Sequence, residues 1–263
     1  MLRQRIISAA VGVPVILVLI YFGGNAYMIG VAAGLALAAA EFQHITRDWL
    51  DPVCLLTAAL VAGIAVGARA GGGVWLAWLA AGIVIAPLAA LLSPTKDGRL
   101  IDVLWALGGV TYVGFLGSFI VQLRYIDNDA RSWVYLAALG TFAVDTGAYF
   151  VGSAIGKHKL APAISPKKTI EGLIGGYAGG LATVVVLAYA FDLGVKPGQV
   201  TSLGVLLPTV AAFGDLAESA VKRAAGIKDT SEIIPGHGGV LDRLDSILFT
   251  FALVYLFTQL VVY

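Results

Sequence analysis

Runs of mostly apolar residues recur along almost the whole chain, and they restrict the possible fold more than any other feature. A helix of about 20 such residues crosses the ~30 Å hydrocarbon core of a bilayer. Only 13% of the 263 residues are charged, whereas a soluble domain carries about 25%. The runs are continuous rather than alternating, and only helices and closed barrels satisfy their backbone in lipid. The sequence therefore predicts an all-α polytopic membrane protein.

Nine transmembrane helices fit between the clusters of glycine, proline and charged residues that interrupt these runs. The first run follows Arg3 and Arg5 and resembles a signal peptide, but Gly23-Gly24-Asn25 interrupts it and the apolar stretch is too long. We interpret it as an uncleaved helical hairpin. The predicted spans are 6–22, 25–40, 53–68, 74–92, 101–121, 132–151, 171–191, 200–221 and 241–262.

The distribution of basic residues predicts the orientation of these helices. With a cytoplasmic N-terminus, 13 of the 17 lysines and arginines fall on the cytoplasmic side. Two polar loops, 152–170 and 222–239, then lie on that side. We expect one integrated membrane domain, in which residues 1–130 are mainly a lipid-facing scaffold and residues 131–263 carry a cytoplasmic-face active site. The net charge of +1 predicts no nucleic-acid partner.

The segment from Phe213 to Asp245 contains the strongest indication of chemistry. Asp215 would lie about two turns inside the membrane boundary, where an ionisable group is costly and suggests a function. Residues spaced by three and four positions share a helical face with it: Glu218, Ser219, Lys222 and Arg223. Asp242 and Asp245 open the last helix. These carboxylates, beside Lys228, Arg243 and the cations above, suit a Mg²⁺ ion that bridges phosphates.

A glycine-rich turn, Pro235-Gly236-His237-Gly238-Gly239, lies within the same segment. Glycines allow backbone N–H groups to approach phosphate oxygens, and His237 can donate to phosphate. The alternative is a solvated loop with helix-capping carboxylates, in which Asp242 only interacts favourably with the helix dipole. That alternative does not account for an intramembrane Asp215.

A second polar segment runs from Asp145 to Gly172. Ser165-Pro166-Lys167-Lys168-Thr169 precedes a helix predicted to begin near Ile170, and lysines and hydroxyls at a helix N-terminus form an anion site. Positive-inside topology alone is the alternative for these lysines. Asp145 lies among apolar residues and is either functional or a buried, hydrogen-bonded aspartate. Glu171 can be explained as a capping residue.

The pattern Ser219-x-x-Lys222-Arg223-x4-Lys228-Asp229, followed by Pro235-Gly236-His237-Gly238-Gly239-x-x-Asp242-Arg243-x-Asp245, resembles the signature of phosphatidate cytidylyltransferases, or CDP-diacylglycerol synthases. Asp145-Thr146-Gly147-Ala148-Tyr149 and residues 165–169 resemble two further blocks of that family. Ser153 stands where the resemblance leads us to expect a basic residue, so one phosphate contact differs.

The resemblance implies that the lipid phosphate of phosphatidate attacks the α-phosphorus of CTP in line, giving CDP-diacylglycerol and pyrophosphate for phospholipid biosynthesis. It also implies Mg²⁺ with a second cation such as K⁺, a homodimer, and a location in a bacterial inner membrane. We assign catalytic roles to Asp215, Ser219, Lys222, Arg223, Asp242 and Asp245, of which the three aspartates are the expected metal ligands. The expected substrate-binding residues are Asp145, Ser165, Lys167, Lys168, Lys228, Asp229, His237, Gly238 and Arg243.

Two other functions remain open from the sequence. A CTP-dependent polyprenol or lipid-alcohol kinase would use similar residues but release CDP rather than pyrophosphate. A transporter could use Asp145 and Asp215 as a cation site, although no convincing inverted repeat supports it.

Overall fold

The computed structural model describes residues 2–96, 98–126, 129–236 and 238–262, without the side chains of residues 2–7 and Ala9. Within these ranges the chain forms nine helices and one short β-hairpin. The helices are α1 Leu2–Phe22, α2 Gly24–His44, α3 Pro52–Ala70, α4 Gly72–Leu92, α5 Arg99–Arg124, α6 Ala130–Ile155, α7 Ile170–Ala190, α8 Pro197–Ala224 and α9 Leu241–Val262. Strands β1 Lys159–Ala161 and β2 Ser165–Thr169 pair antiparallel between α6 and α7.

Eight of these helices are long and apolar enough to cross a membrane, and α1 contributes the shorter apolar stretch Ala10–Phe22. This confirms the prediction of an all-α polytopic membrane protein. Each predicted span overlaps one observed helix, because runs that match the hydrocarbon thickness are easily located in a sequence. The β-hairpin is the one regular element among the described residues that was expected to be loop.

The chain divides into two compact units. The first comprises Met1–Tyr125 and Asp229–Leu244, and the second comprises Ile126–Lys228 and Asp245–Tyr263. The segment that contains the glycine-rich turn thus belongs with the N-terminal helices. Helix α9 begins in the first unit and continues in the second.

In the first unit, helices α2, α3 and α5 pack around fully buried side chains such as Leu35, Ile64 and Val110. Helix α5 widens into a π-helix over Gly109–Phe115, where a Cβ atom on Gly109 would lie 2.9 Å from Nε2 of Gln43. The absent side chain therefore permits a close approach of α5 to α2.

A buried charge cluster joins two connections of the first unit. The Arg47 guanidinium lies 3.3 Å from the Asp102 carboxylate and donates to the Ser93 carbonyl at 2.7 Å. Asp102 has no exposed surface and also accepts from the backbone N–H of Thr95 at 2.6 Å. A buried charge requires such partners, so this cluster holds the α2–α3 and α4–α5 connections together.

In the second unit, α6 and α7 approach closely along glycines. A Cβ atom on Gly175 would lie 2.6 Å from the carbonyl oxygen of Gly147, so only glycine fits this contact. Helix α7 begins at Ile170 as predicted, and the Thr169 hydroxyl caps it by accepting from the Gly172 N–H at 3.1 Å. The α6–α7 pair thereby fixes both ends of the β-hairpin.

Candidate active site

The polar face predicted for α8 is present within the second unit. The Ser219 hydroxyl lies 3.5 Å from Oδ1 of Asp215, as the spacing of four residues predicts. The ammonium group of Lys222 lies 3.3 Å from the Glu218 carboxylate, which is 1% exposed. Lys222 is therefore paired with a buried acid, which offsets part of the positive charge that we expected it to offer to phosphate.

The β-hairpin brings the second predicted segment to this face. Nζ of Lys168, in β2, lies 2.5 Å from Oδ2 of Asp215, and both side chains are partly exposed. Two segments singled out independently in the sequence, 145–172 and 213–245, thus meet in one ion pair. A partly exposed pair of this kind contributes little to stability, so the acid and the base remain available for other partners.

Two side chains hold the hairpin in place. The Glu171 carboxylate accepts from the backbone N–H groups of Lys157 and His158 at 3.1 and 3.2 Å and lies 2.6 Å from Nδ1 of His158. Arg223 donates to the carbonyl oxygens of Ile164 at 3.3 Å and Ile227 at 2.9 Å. Arg223, an expected catalytic residue, thus supports the turn that precedes β2, the strand that carries Lys168.

Asp245 lies against α8 in the second unit. A Cβ atom on Gly214 would lie 2.7 Å from the backbone oxygen of Asp245, so the residue next to Asp215 in sequence contacts the backbone of Asp245. Oδ1 of Asp245 accepts from the backbone N–H of Ser246 at 2.6 Å. Asp242 precedes Asp245 by about one turn of the same helix.

The first unit contains a separate network around Asp242, which is 4% exposed. Its Oδ2 atom accepts from the backbone N–H groups of Gly239 at 2.8 Å and Thr230 at 3.0 Å, and from the Thr230 hydroxyl at 3.1 Å. A metal could bind Oδ2 only by displacing these donors. Asp242 therefore has the capping role considered for it, and its carboxylate is of the kind that Mg²⁺ prefers.

The glycine-rich turn has the expected backbone. Gly236 and Gly238 have φ of 77° and 81°, a region that favours glycine, and the Ile234 N–H donates to the Gly238 carbonyl at 2.8 Å. The Gly239 N–H points inward to Asp242, so it does not face a phosphate as we had expected of this turn. His237 lies outside the described residues.

Gly239 lies between two acidic side chains, and we expect Gly239→Ala to be destabilising. The added Cβ atom would overlap the Thr230 hydroxyl and lie 2.5 Å from Oε2 of Glu41. Such overpacking costs about 1–3 kcal/mol, which thermal unfolding in detergent micelles would detect. Gly73→Ala is the matched control, because its Cβ would meet nothing within 4 Å. Equal melting temperatures for the two variants would contradict this packing.

The remaining predicted residues lie on several different elements of the chain. Asp145 is exposed on α6, and Ser165 and Lys167 lie in β2. Lys228 and Asp229 are exposed within the α8–α9 connection, and Arg243 is exposed in the first turn of α9. Ser153, where the resemblance predicts a basic residue, donates to the Phe150 carbonyl at 3.1 Å. In the described part of the chain, no three His, Cys, Asp or Glu side chains are grouped so that they could hold a metal ion.

Glu41 is the polar residue that reasoning from the sequence missed. It is fully buried near the end of α2, and its carboxylate accepts hydrogen bonds from the segment 230–241. The sequence does contain a signal for Glu41, because a carboxylate at the end of an apolar run is costly unless it has partners. Ending the predicted span at residue 40 placed Glu41 in a loop and removed this argument.

Comparisons with known proteins find relatives over almost the whole chain. The model of a cytidylyltransferase family matches residues 3–261. The chain is 32% identical to a phosphatidate cytidylyltransferase of Staphylococcus haemolyticus over 257 residues, which cover 96% of this chain and 97% of that protein. It is 32% identical to the protein of the same name from Synechocystis over 284 residues, covering 98% and 96% respectively. A Bacillus subtilis protein of that name is 40% identical over 149 residues, 55% of this chain and 54% of the relative.

Proposed function

Since this chain belongs to the cytidylyltransferase family, we propose that it joins CTP and phosphatidate into CDP-diacylglycerol and pyrophosphate. It is a nucleotidyltransferase and an integral membrane protein. The structural observation that best supports the proposal is the Lys168–Asp215 ion pair. It joins an acid of α8 to the basic segment before α7, so groups that suit a metal and a phosphate lie side by side.

The position of this pair suits substrates from two phases. CTP is dissolved in water, whereas phosphatidate stays in the bilayer, so their reaction requires a site at the membrane boundary. Asp215 lies about two and a half turns before the end of α8 at Ala224, and Lys168 lies in the short connection between two membrane-spanning helices. We propose that this boundary is the cytoplasmic face of an inner membrane, as the distribution of basic residues predicts.

The carboxylates fit Mg²⁺ if substrate phosphates complete its coordination. Mg²⁺ commonly takes one or two protein carboxylates and leaves its other positions to water and phosphate oxygens, so a group of three acids is not required. Asp215, Asp242 and Asp245 are the proposed ligands, directly or through bound water, and K⁺ is proposed as a second cation. The bound ion would neutralise charge on the triphosphate.

The protein's own residues mainly position two anions. The phosphate of phosphatidate is already an oxyanion, so the reaction needs no strong general base, and orientation with charge neutralisation supplies most of the effect. We assign phosphate binding to Lys167 and Lys168, with Lys222 contributing less because Glu218 offsets its charge. The Ser219 hydroxyl, which donates to Asp215 over the long distance of 3.5 Å, can turn to donate to a phosphate oxygen instead.

Product analysis tests the proposal. Purified protein would be incubated with CTP labelled at the α-phosphate, phosphatidate and Mg²⁺, followed by lipid extraction. We expect label in CDP-diacylglycerol and equimolar pyrophosphate in the aqueous phase. In a parallel reaction with CTP labelled at the γ-phosphate, transfer of the label to a lipid alcohol would instead establish a CTP-dependent kinase. Ion flux into liposomes without CTP turnover would establish a transporter. The homodimer that the resemblance implies would be tested by the mass of the purified particle.

A further inference from the structure

Glu41 connects helix α2 to the start of helix α9 within the first unit. Its Oε1 atom accepts from the Ser231 hydroxyl at 2.7 Å and the Val240 N–H at 2.9 Å. Its Oε2 atom accepts from the Leu241 N–H at 2.7 Å and lies 3.4 Å from the Thr230 hydroxyl. The residue has no exposed surface, so these contacts compensate for the loss of its hydration.

The contacts provide an end cap for α9 from another helix. The first N–H groups of a helix have no partner within the helix, and a negative charge there is favoured by the helix dipole. Asp242 accepts the Gly239 N–H, and Glu41 accepts the next two, from Val240 and Leu241. Two carboxylates thus accept hydrogen bonds from three consecutive backbone N–H groups. These bonds fix where α9 begins.

A carboxylate is required at position 41 because the two backbone donors use different oxygens. A glutamine has one acceptor oxygen and one NH₂ group, so either Val240 or Leu241 would face a donor. The Thr230 hydroxyl lies between Oε2 of Glu41 and Oδ2 of Asp242, at 3.4 and 3.1 Å. A change at Glu41 is thereby transmitted to Asp242 through one side chain.

We propose that Glu41 is a positioning residue for the reaction, which holds the Asp242 carboxylate in its working orientation by fixing the first turn of α9. This inference rests on the proposed function, since it concerns the use of Asp242 in that reaction. Glu41 itself has no exposed surface, so in this proposal it acts through Asp242 and not by contact with a substrate.

Glu41→Gln tests this role with two readouts. Residues that orient a metal-binding side chain typically contribute 10- to 100-fold to activity, so we expect kcat to fall by about that factor, with the KM for CTP and for phosphatidate within about threefold. Amide hydrogen exchange at residues 239–241 should accelerate by about tenfold or more. Gln43→Leu is the matched control. Gln43 is equally buried on the same helix and donates to the Trp105 carbonyl at 2.9 Å, so its loss should leave kcat and exchange at 239–241 unchanged.

Unchanged kcat or unchanged exchange at 239–241 in Glu41→Gln would overturn the proposal, and so would an equal loss of kcat in Gln43→Leu.

If Glu41→Gln does not fold, Thr230 provides a second test. Thr230→Val removes the hydroxyl shared by the two acids and should lower kcat, whereas Thr230→Ser keeps it and should restore activity; equal kcat values would refute the coupling. A wild-type protein without CDP-diacylglycerol synthesis would refute the proposed function instead, and the exchange measurement would still report on the cap.

Discussion

Asp242→Asn is expected to lower the rate of CDP-diacylglycerol synthesis by about a hundredfold or more while the protein remains folded in the membrane. The structure explains why the two effects separate. The amide oxygen of asparagine can take the place of Oδ2 and keep the bonds from Gly239 and Thr230. The NH₂ group then replaces the other oxygen, which removes a negative charge and a metal-binding atom. A loss of several kcal/mol in transition-state stabilisation corresponds to at least this factor.

The measurement is a steady-state assay with labelled CTP, together with thermal unfolding of both proteins in the same detergent. Asp242→Ala is the useful comparison, because it removes both oxygens and should lower the melting temperature as well. Near-wild-type turnover by Asp242→Asn would show that Asp242 only caps α9 and would remove it from the proposed reaction.

Asp215→Asn has the second large expected effect, again a loss of about a hundredfold in kcat. The substitution removes the charge that faces Lys168 at 2.5 Å and one carboxylate oxygen proposed to bind metal. Asp192→Asn is a suitable control: Asp192 lies in the α7–α8 connection with φ of 49°, a conformation that asparagine tolerates well. That variant should retain full activity.

Lys168→Gln shows whether Asp215 acts through its lysine or directly. If Asp215 only holds Lys168, the two single variants and the double variant should lose equal activity, because neighbouring residues with one shared role are not additive. We expect instead that the double variant is less active than either single variant, since Lys168 is proposed to bind phosphate and Asp215 metal. Three equal losses would contradict separate roles.

The sequence predicted the helices and the helical face of α8 well because both follow local rules. Spans reflect the hydrocarbon thickness, and the Asp215–Ser219 contact follows from their spacing on one helix. The predicted start of α7 at Ile170 was equally local, since Thr169 caps it.

Contacts between distant segments were beyond the reach of such rules. Nothing in the spacing of Lys168 and Asp215, or of Glu41 and Val240, indicates that they meet. The β-hairpin was missed because strands of three and five residues carry too little alternation to be recognised. Arg223 is expected to be catalytic, and its contacts with Ile164 and Ile227 arise from tertiary folding that the sequence pattern does not contain.

Binding of Mn²⁺ in the presence of CTP, followed by electron paramagnetic resonance, tests most directly whether these carboxylates hold a divalent cation. Loss of a carboxylate ligand weakens a metal site substantially, so we expect Asp215→Asn and Asp242→Asn each to weaken Mn²⁺ binding by about tenfold or more relative to the wild-type protein and to Asp192→Asn. Mn²⁺ affinities equal to that of the wild type in both variants would contradict the assignment of these aspartates as metal ligands.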